Sequence, residues 1–459
     1  MRKSILVATA LSAALISASC SSFLDADKAV ADPNNPTAAS INQLFVGAQA
    51  NMFGQQEGAE AMAICMWMQQ CAGVNGRFVD QYGTYTVTPG SFDGGMASIY
   101  TAGGLIGLRD VQAKATTAGD LQYRGVAKVL EAMNVLWGTD LWGDIPYAAA
   151  VSASSNPAFE AQQTILSDLD NLLTAAIADL GGAGPGPGQY DLIYAGSATK
   201  WIQAAHMLKA RIHLRLVERN GNTEYNTVLT EATAGISSSA NDFKTYHTGA
   251  TSERNMWAQF QKSSFGNDLV AGARLASIMV ADNDPRLPEY FGKDASNGYS
   301  GYDVTTKASV TYSPIFGSAR TNNDSFRQPI MTWDEAQLMI AEANLQKPTP
   351  NPAAALIALN AVRAAHGKAA AGAATLNAIM TEKYILTFQN IEAWSDYRRT
   401  CLPALSPALG RTVIPGRFYY GETEMQTNTA APTTAENIQN SGATSATLIV
   451  RNWNDPNHC

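Results

Sequence analysis

Three segments of the sequence combine aromatic rings with side chains that can form hydrogen bonds. In the densest, GRFVDQYGTY from Gly76, the candidate ligand-binding residues are Arg77, Phe78, Asp80, Gln81, Tyr82 and Tyr85. The other two segments contribute Asn255, Trp257 and Phe260, and Tyr299, Tyr302, Tyr312 and Phe316. Flat rings beside amide, carboxylate or guanidinium groups suit the C–H face and the hydroxyls of a sugar ring. Rings on loops also fill small satellite cores, so packing beneath the loops is the alternative for each segment.

Catalytic and metal chemistry have weaker support than binding. The sequence contains neither a GxSxG elbow nor an HExxH pair. Glu392 and Asp396 lie one helical turn apart, and a catalytic role for this carboxylate pair is the alternative. His206 and His213 lie two turns apart, about 10 Å along a helix, which is too far for one zinc ion. We therefore predict no catalytic residue, no metal ligand and no cofactor.

The N-terminus is typical of an exported lipoprotein. Arg2 and Lys3 precede an apolar run over residues 5–18, and three small residues lead directly to Cys20. The run is shorter than the about 20 apolar residues that span a bilayer. The small residues before the cysteine resemble a lipobox, although Ser17 stands where leucine is usual. We predict that residues 1–19 are a signal peptide and that Cys20 carries lipid, palmitate included; an ordinary secretion signal with an incidental cysteine is the alternative.

The composition indicates a folded, acidic protein. Of the 459 residues, 46% are hydrophobic and 15% are charged, which favours a globular body over a disordered chain. Loss of Arg2 and Lys3 with the signal peptide would change the formal net charge from -8 to -10. An acidic chain without a basic run is poorly suited to nucleic acid, because binding phosphates needs clustered cations. We exclude that class of partner.

Four cysteines remain in addition to Cys20, namely Cys65, Cys71, Cys401 and Cys459. An even number in an oxidising compartment suggests two disulfides, for which three connectivities are possible. We favour Cys65 with Cys71, which are close in sequence, and Cys401 with Cys459, which would hold the C-terminus. Free buried thiols are the alternative.

Helical periodicity dominates the elements that must position the three segments. Apolar residues step by three and four in two runs: Tyr123, Val126, Leu130, Met133 and Trp137, and Trp201, Ala205, Leu208, Ile212 and Leu216. Thr332 with Glu335 predicts a capping box before a helix over residues 333–345, and Asn351 with Pro352 predicts the start of the next, over residues 353–365. Helical hairpins over about 121–236 and 332–395 suggest degenerate tetratricopeptide-like repeats.

The remaining segments are predicted to be loops and a tether. Residues 73–95 and 237–330 are rich in Gly, Ser, Thr, Asn and aromatics, and they are expected to form the ligand side. The run GGAGPGPG from Gly181 is interpreted as a linker, since its prolines remove backbone donors. We assign residues 20–40 to a lipidated tether and residues 41–459 to a single domain.

Several motifs together resemble the SusD/RagB family of outer-membrane nutrient-binding lipoproteins. They are CSSFLDADKAVADPNNPTAAS from Cys20, LWGTDLWGDIPY from Leu136, DNDPRLPEYF from Asp282, TWDEAQLMIAEA from Thr332 and EAWSDYRRTCLPAL from Glu392. Their order and spacing are specific for that family. The resemblance implies a mainly α fold, a tetratricopeptide-like helical superhelix carrying a loop-rich irregular half. It further implies non-enzymatic binding of a glycan or other oligomer at the cell surface, and delivery to a SusC-like TonB-dependent transporter in the outer membrane.

The motifs themselves are expected to be structural. Asp284 and Arg286 are predicted to close a turn around Pro285, with calcium near Asp282 and Asp284 left open. In EAWSDYRRT, Trp394 is predicted to be a core anchor, and Arg398 and Arg399 are predicted in the last turn of a helix, where the free carbonyls favour cations. A surface hydrolase and a self-assembling structural protein remain the competing functions. If Cys20 is the anchor, the tether of about 17 residues would let the body swing over its transporter.

Overall fold

The computed structural model describes residues 39–152, 154, 156–309, 311–315, 320, 322–432, 451–456 and 459. The predicted signal peptide, the lipidation site Cys20 and nearly all of the tether lie outside these residues. The chain divides into a short unit, Met1–Gln43, and a large compact unit, Leu44–Cys459. In the short unit Ser40 caps the first helix: its hydroxyl accepts from the Gln43 N–H at 3.3 Å, and the Gln43 side chain accepts from the Ser40 N–H at 2.9 Å.

The described residues are mainly helical, which confirms the predicted fold class. The α-helices are α1 Ile41–Glu57, α2 Ala59–Trp67, α3 Asp93–Ser98, α4 Leu105–Ala118, α5 Leu121–Trp142, α6 Gln162–Leu180, α7 Ala198–Asn220, α8 Glu224–Ala234, α9 Met256–Gln261, α10 Ala273–Ala281, α11 Leu287–Tyr290, α12 Trp333–Gln346, α13 Pro352–Ala365, α14 Leu376–Leu386, α15 Glu392–Thr400 and α16 Glu422–Thr427. Within the part of the chain that the structure describes, no helix is long and apolar enough to cross a membrane.

Two antiparallel pairs of short strands complete the described elements. β1 (Cys71–Gly73) pairs with β3 (Leu269–Ala271), and β2 (Phe243–Lys244) pairs with β4 (Pro329–Met331). The predicted loop segment over residues 237–330 therefore also contains short helices, α9 to α11. These elements are too short to show a helical or strand period in the sequence.

In the helical scaffold, most helices pack against the helix that comes next in the sequence. α4 packs on α5, α5 on α6, α6 on α7 and α7 on α8; α8 then packs on α12, which packs on α13 and α14. The apolar positions predicted on α5 are buried: Tyr123, Val126, Leu130, Met133 and Trp137. Each helix alone could bury only one face, so stacking the hairpins supplies the shared core.

The predicted caps of α12 and α13 hold only in part. The Thr332 hydroxyl accepts from the Glu335 N–H at 3.1 Å, and the Asn351 side chain accepts from the Ala354 N–H at 3.1 Å. The capping box is nevertheless wrong, because the Glu335 carboxylate turns inward to the Arg211 guanidinium, with Nε and Oε1 at 2.7 Å. A buried guanidinium needs that carboxylate more than an N-terminal backbone N–H does.

A buried ion cluster joins the helices of the scaffold. Arg215 on α7 donates to Asp140 on α5 at 2.8 Å and to Glu392 on α15 at 2.5 Å, and Arg211 lies 3.5 Å from Glu392. Burial alone would raise the pKa of the Glu392 carboxyl, but the two arginines outweigh it and lower that pKa. Glu392 thus pairs with two arginines of α7 and joins α15 to that helix.

Asp396, the other carboxylate considered for catalysis, is also paired with cations. Asp396 lies 2.7 Å from Lys383 Nζ and 2.7 Å from the Arg399 guanidinium. Arg398 and Arg399 lie in the last turn of α15, as predicted. The Arg398 guanidinium donates to the carbonyls of Asp140 and Gly416, at 2.9 and 3.0 Å, and Arg399 pairs with Glu342. Trp394 is buried as predicted.

The Asp284–Arg286 turn forms as expected. The Arg286 guanidinium donates to both Asp284 oxygens, at 2.9 and 2.6 Å, and Lys368 Nζ lies 3.0 Å from Asp284. Asp282 lies 2.6 Å from the same lysine. The carboxylates considered for calcium therefore face cations, and no group of three His, Cys, Asp or Glu residues suited to a metal ion occurs in the described part of the chain.

Two disulfides have the connectivity favoured from the sequence. Cys65–Cys71 joins α2 to β1, and Cys401–Cys459 joins the end of α15 to the C-terminal residue.

Candidate functional site

The loop over residues 74–87 is attached to the helical scaffold through its neighbours β1 and α2. It follows β1, which the Cys65–Cys71 disulfide fastens to α2. Trp67, at the end of α2, is fully buried, and its indole Nε1 donates to the Tyr82 carbonyl at 3.0 Å. The Trp67 ring also meets the Tyr85 ring edge-on at 6.1 Å. A covalent link, a hydrogen bond and ring packing thus fix the backbone that presents the first predicted segment.

Two predicted ligand residues of this segment lie beneath the loop. Phe78 and Tyr85 are only 3% and 1% exposed. Phe78 packs edge-on against Phe260 at 5.2 Å, and the Tyr85 hydroxyl accepts from the Ala408 N–H at 3.2 Å. Burial raises the pKa of Tyr85 to about 12, so this hydroxyl stays protonated. Packing, rather than ligand contact, is the role that the structure gives these two rings.

The other four residues of the segment reach the surface. Arg77 and Asp80 are exposed, while Gln81 and Tyr82 are partly exposed. The Gln81 side chain donates to the Ser91 hydroxyl at 3.0 Å, which orients its amide. Residues 78–82 form a short π-helix, a local irregularity frequent at functional sites.

Phe265 joins this surface and was missed in the sequence. The Arg77 guanidinium lies over the Phe265 ring at 5.7 Å and over the Phe78 ring at 5.1 Å. Phe265 is 50% exposed. A lone phenylalanine within the polar run KSSFGND could have indicated it. Guanidinium and ring together give the flat apolar face beside polar groups that a sugar ring requires.

Two residues of the second predicted segment, Asn255 and Trp257, are buried, so the structure does not present them to a ligand. Asn255 and Trp257 are 1% and 0% exposed. Asn255 caps α9, since its side-chain oxygen accepts from the N–H groups of Trp257 and Ala258 at 3.0 and 3.1 Å. Its amide donates to the buried Glu57 carboxylate at 2.9 Å. These residues hold a loop in place.

The β1–β3 ladder places the third predicted segment, which contains Tyr302, beside the first segment. The Tyr302 N–H donates to the Ala271 carbonyl at 2.8 Å, and the Ala273 N–H donates to the Tyr302 carbonyl at 3.1 Å. Ala271 lies opposite Cys71 in the ladder. The lining of a shallow depression combines both segments: Gly73, Val79, Gly83, Thr84, Tyr302, Val304 and Lys307.

The tyrosines of this segment are partly exposed. Tyr302 meets Tyr312 edge-on at 6.1 Å, and Tyr312 is 37% exposed. Lys293 Nζ lies over the Tyr299 ring, 3.8 Å from the ring centre. Phe316 lies outside the described residues. We call the following set of exposed and partly exposed residues the loop surface: Arg77, Asp80, Gln81, Tyr82, Phe265, Tyr302 and Tyr312.

Two cavities lie near the predicted segments. One, of about 300 Å³, adjoins the loop surface at Tyr302 and is also lined by Gln69, Arg274, Ser277, Asp303 and Ser406. The other, of about 660 Å³, lies between α1 and residues 246–259, and its lining includes Phe53, Tyr246, His247 and Met256.

Comparison with known proteins identifies a family and a fold. Residues 33–421 match the SusD-like family model described as "Starch-binding associating with outer membrane". A search of curated proteins finds no match.

Solved structures of similar fold come from several organisms. A chitin-binding SusD homolog from Flavobacterium johnsoniae is 21% identical, with 90% of this chain and 99% of that chain covered, at a TM-score of 0.67. SusD homologs from Bacteroides thetaiotaomicron and Bacteroides fragilis are 18% and 19% identical, cover 92% and 91% of this chain and 100% and 99% of their own, and both have TM-scores of 0.71. At these identities the likeness concerns the fold.

Proposed function

The chain belongs to the SusD-like family, and from this premise we propose that it is a non-enzymatic, lipid-anchored outer-membrane protein that binds a glycan at the cell surface and delivers it to a SusC-like TonB-dependent transporter. Members of this family are described as starch-binding, and one structural relative as chitin-binding. The observation that carries the proposal is the loop surface, where exposed rings and hydrogen-bonding groups from separate segments meet.

The arrangement of the loop surface suits binding of an extended oligomer. Tyr82, Phe265, Tyr302 and Tyr312 offer ring faces, and Arg77, Asp80 and Gln81 offer polar groups beside them. The backbone under these side chains is fixed by Trp67 and by the β1–β3 ladder. A pre-ordered site loses less entropy when a flexible glycan binds.

The carboxylate pair considered for catalysis gives no support to the competing hydrolase. A retaining or inverting glycosidase needs two carboxyl groups facing a sugar. Glu392 and Asp396 are buried and held by arginine and lysine side chains. Incubation of the purified protein with starch and chitin should therefore release no reducing ends, and release would support the hydrolase instead.

A binding experiment tests the site directly. Calorimetry with maltoheptaose and chitohexaose should detect binding to the mature chain. Tyr82→Ala and Tyr302→Ala should each weaken that binding by about tenfold, because a ring stacked on a sugar contributes roughly 1–2 kcal/mol. Tyr190→Ala is the matched control, since Tyr190 is 40% exposed but is not part of the loop surface. Unchanged affinity in both loop-surface variants would remove these rings from the site.

The delivery step and the anchor need experiments in cells. Cys20→Ala should abolish incorporation of labelled palmitate and release the protein from the outer membrane. Detergent extraction of the wild type should recover a β-barrel transporter with it. A self-assembling structural protein would give neither a transporter nor glycan binding.

A further inference from the structure

The larger of the two cavities, of about 660 Å³, lies between α1 and residues 246–259. A volume in this range is typical of sites for small molecules. The described residues that line it include none from the loop surface. Its apolar side chains are Val46, Ala50, Phe53, Leu192, Tyr246 and Met256. The cavity is therefore a mainly apolar space apart from the proposed glycan site.

One buried carboxylate joins the two walls of this cavity. Glu57, at the end of α1, is 0% exposed. Its carboxylate accepts from the Asn255 side-chain amide at 2.9 Å and from the Met256 N–H at 3.1 Å, and it lies 2.7 Å from His247 Nε2. These contacts fix residues 247–256 against α1, so the walls are already in place. Binding between ordered walls costs little conformational entropy.

The charged and amide side chains along the cavity already have partners. The Arg254 guanidinium forms an ion pair with Asp324 at 3.1 Å, and the Gln259 side chain donates to the Arg254 carbonyl at 2.7 Å. Glu253 Oε2 accepts from the Thr248 hydroxyl at 2.6 Å. A ligand that relied on these groups would have to break existing bonds, whereas an apolar group gains free energy by leaving water. The cavity therefore suits an apolar group better than the hydroxyls of a sugar.

Gly54 is a second, independent observation that points to an occupant. It lies in the interior of α1, where glycine is less favourable than alanine. Its backbone needs no positive φ, and a Cβ added to it would meet no atom within 4 Å. Neither packing nor backbone conformation therefore requires glycine here. Because Gly54 lines the cavity, a larger side chain would take up space that the glycine leaves open.

The rings in the cavity wall indicate which apolar group fits. The Phe53 and His247 ring centres lie 5.9 Å apart, and Tyr246 is 39% exposed. The Met256 thioether belongs to the same lining. Ring faces, ring edges and thioether sulfur all make favourable contacts with a further ring. We infer that this cavity binds an aromatic ring, either of a free aromatic compound or of an aryl group carried on the glycan.

A fluorescent dye tests ring binding without any sugar. N-Phenyl-1-naphthylamine becomes more fluorescent in an apolar site, and titration of the mature chain should show saturable binding. Gly54→Leu, which places a side chain in the cavity, should weaken that binding by about tenfold or more. Gly47→Leu is the matched control and should leave it unchanged. Gly47 lies on the same helix and also has no atom within 4 Å of an added Cβ, but it does not line the cavity.

Thermal unfolding of both variants separates a blocked cavity from a damaged fold. Because leucine is a better helix former than glycine, neither variant should have a lower Tm than the wild type. A Gly54→Leu variant that unfolds at the wild-type temperature or above and fails to bind the dye has lost the cavity alone.

Competition distinguishes a ring from an alkyl chain. 2-Naphthol should displace the dye more strongly than 1-heptanol, an aliphatic alcohol of similar hydrophobicity, because only the naphthol offers a ring to the aromatic lining. Equal or stronger displacement by heptanol overturns the assignment of an aromatic ring.

Matched glycosides identify the source of the ring, and this arm alone rests on the proposed function. 4-Nitrophenyl maltoheptaoside and methyl maltoheptaoside differ only in the aglycone. Tighter calorimetric binding of the nitrophenyl glycoside, lost in Gly54→Leu, assigns a ring carried on the glycan. Equal binding of the two glycosides, with dye binding retained, assigns a free aromatic compound.

The outcomes separate this inference from the proposed function. Absence of saturable dye binding, or undiminished binding in Gly54→Leu, overturns the ring site and leaves glycan binding at the loop surface standing. Dye binding by a chain that binds neither starch nor chitin oligosaccharides would have the opposite meaning: the ring site stands and the proposed glycan binding fails.

Discussion

The indole N–H of Trp67 donates to the backbone carbonyl of Tyr82 at 3.0 Å. Trp67 belongs to the scaffold helix α2, and Tyr82 belongs to the loop surface, so this bond joins the part that gives stability to the part that we expect to bind ligand. The Trp67 ring also packs edge-on against Trp394 at 5.4 Å. Trp394 lies on α15, in the motif EAWSDYRRTCLPAL that resembles the family. Substitution of Trp67 should therefore affect both stability and binding.

Trp67→Phe should destabilise the protein by about 1–3 kcal/mol, because it removes a hydrogen bond and part of a buried ring. It should also speed hydrogen exchange in residues 78–86 and weaken glycan binding. Trp137→Phe is a close control, since Trp137 is 2% exposed and its indole N–H has no partner among the described residues. If both variants increase exchange in residues 78–86 equally, the bond to Tyr82 is not what orders the loop.

Arg215→Met should cost about 3–5 kcal/mol in the free energy of unfolding, because it leaves buried Asp140 and Glu392 without their shared cation. Lys114→Met is the comparison, since the Lys114–Asp110 pair is exposed and should contribute about 0.5 kcal/mol or less. Urea denaturation of both variants measures the contrast. If Arg215→Met lowers the free energy of unfolding as little as Lys114→Met does, the ion cluster does not stabilise the contact between these helices.

Glu60 should make stability depend on pH. Burial raises the pKa of its carboxyl from 4.5 to about 7, and Gly95 packs so closely that an added Cβ would lie 2.1 Å from Oε1. A carboxyl with a raised folded pKa penalises folding once it ionises, so its effect is absent below about pH 4.5, grows from there to about pH 7 and is complete above. Glu60→Gln should therefore stabilise the protein by up to about 3 kcal/mol at pH 8 and hardly at all at pH 4.5. Glu422→Gln, at an exposed position, should show no such trend, and a pH-independent difference for Glu60→Gln would contradict the burial effect.

The two disulfides should contribute unequally to stability. Their sequence separations are 6 and 58 residues. In the chain-entropy description, closing the longer loop removes more freedom from the unfolded chain, which gives about 4 kcal/mol for Cys401–Cys459 and about 2 kcal/mol for Cys65–Cys71. Paired Cys→Ser variants, compared by denaturation under non-reducing conditions, measure both. We expect the Cys65/Cys71 variant to have the larger effect on glycan binding, because that bridge supports the loop surface, and the reverse order would contradict this.

Much of the scaffold could be predicted from the sequence. The apolar period along α5 and α7, and the Asn351–Pro352 start of α13, depend on residues that are neighbours in the chain, so their physical effect is local. The turn made by Asp284 and Arg286 is local in the same way.

The side chains with long-range partners could not be predicted in this way. Glu335 has the right position for a capping box, yet it pairs with Arg211, which lies 124 residues away. Among the predicted ligand residues, Phe78, Tyr85, Asn255 and Trp257 are buried, whereas Phe265 is exposed. An aromatic residue on a loop satisfies the sequence pattern equally well above or below the loop, and the surrounding segments decide which side it takes.

The sequence by itself thus determined the helical class, the family resemblance and the candidate segments, because helical period, caps and motifs are properties of adjacent residues. Tertiary structure alone decided that the β1–β3 ladder brings Tyr302 beside the 74–87 loop, and that Asn255 and Trp257 are buried. Burial and charge pairing depend on contacts between residues that are distant in the chain, and only the folded structure determines which of these residues meet.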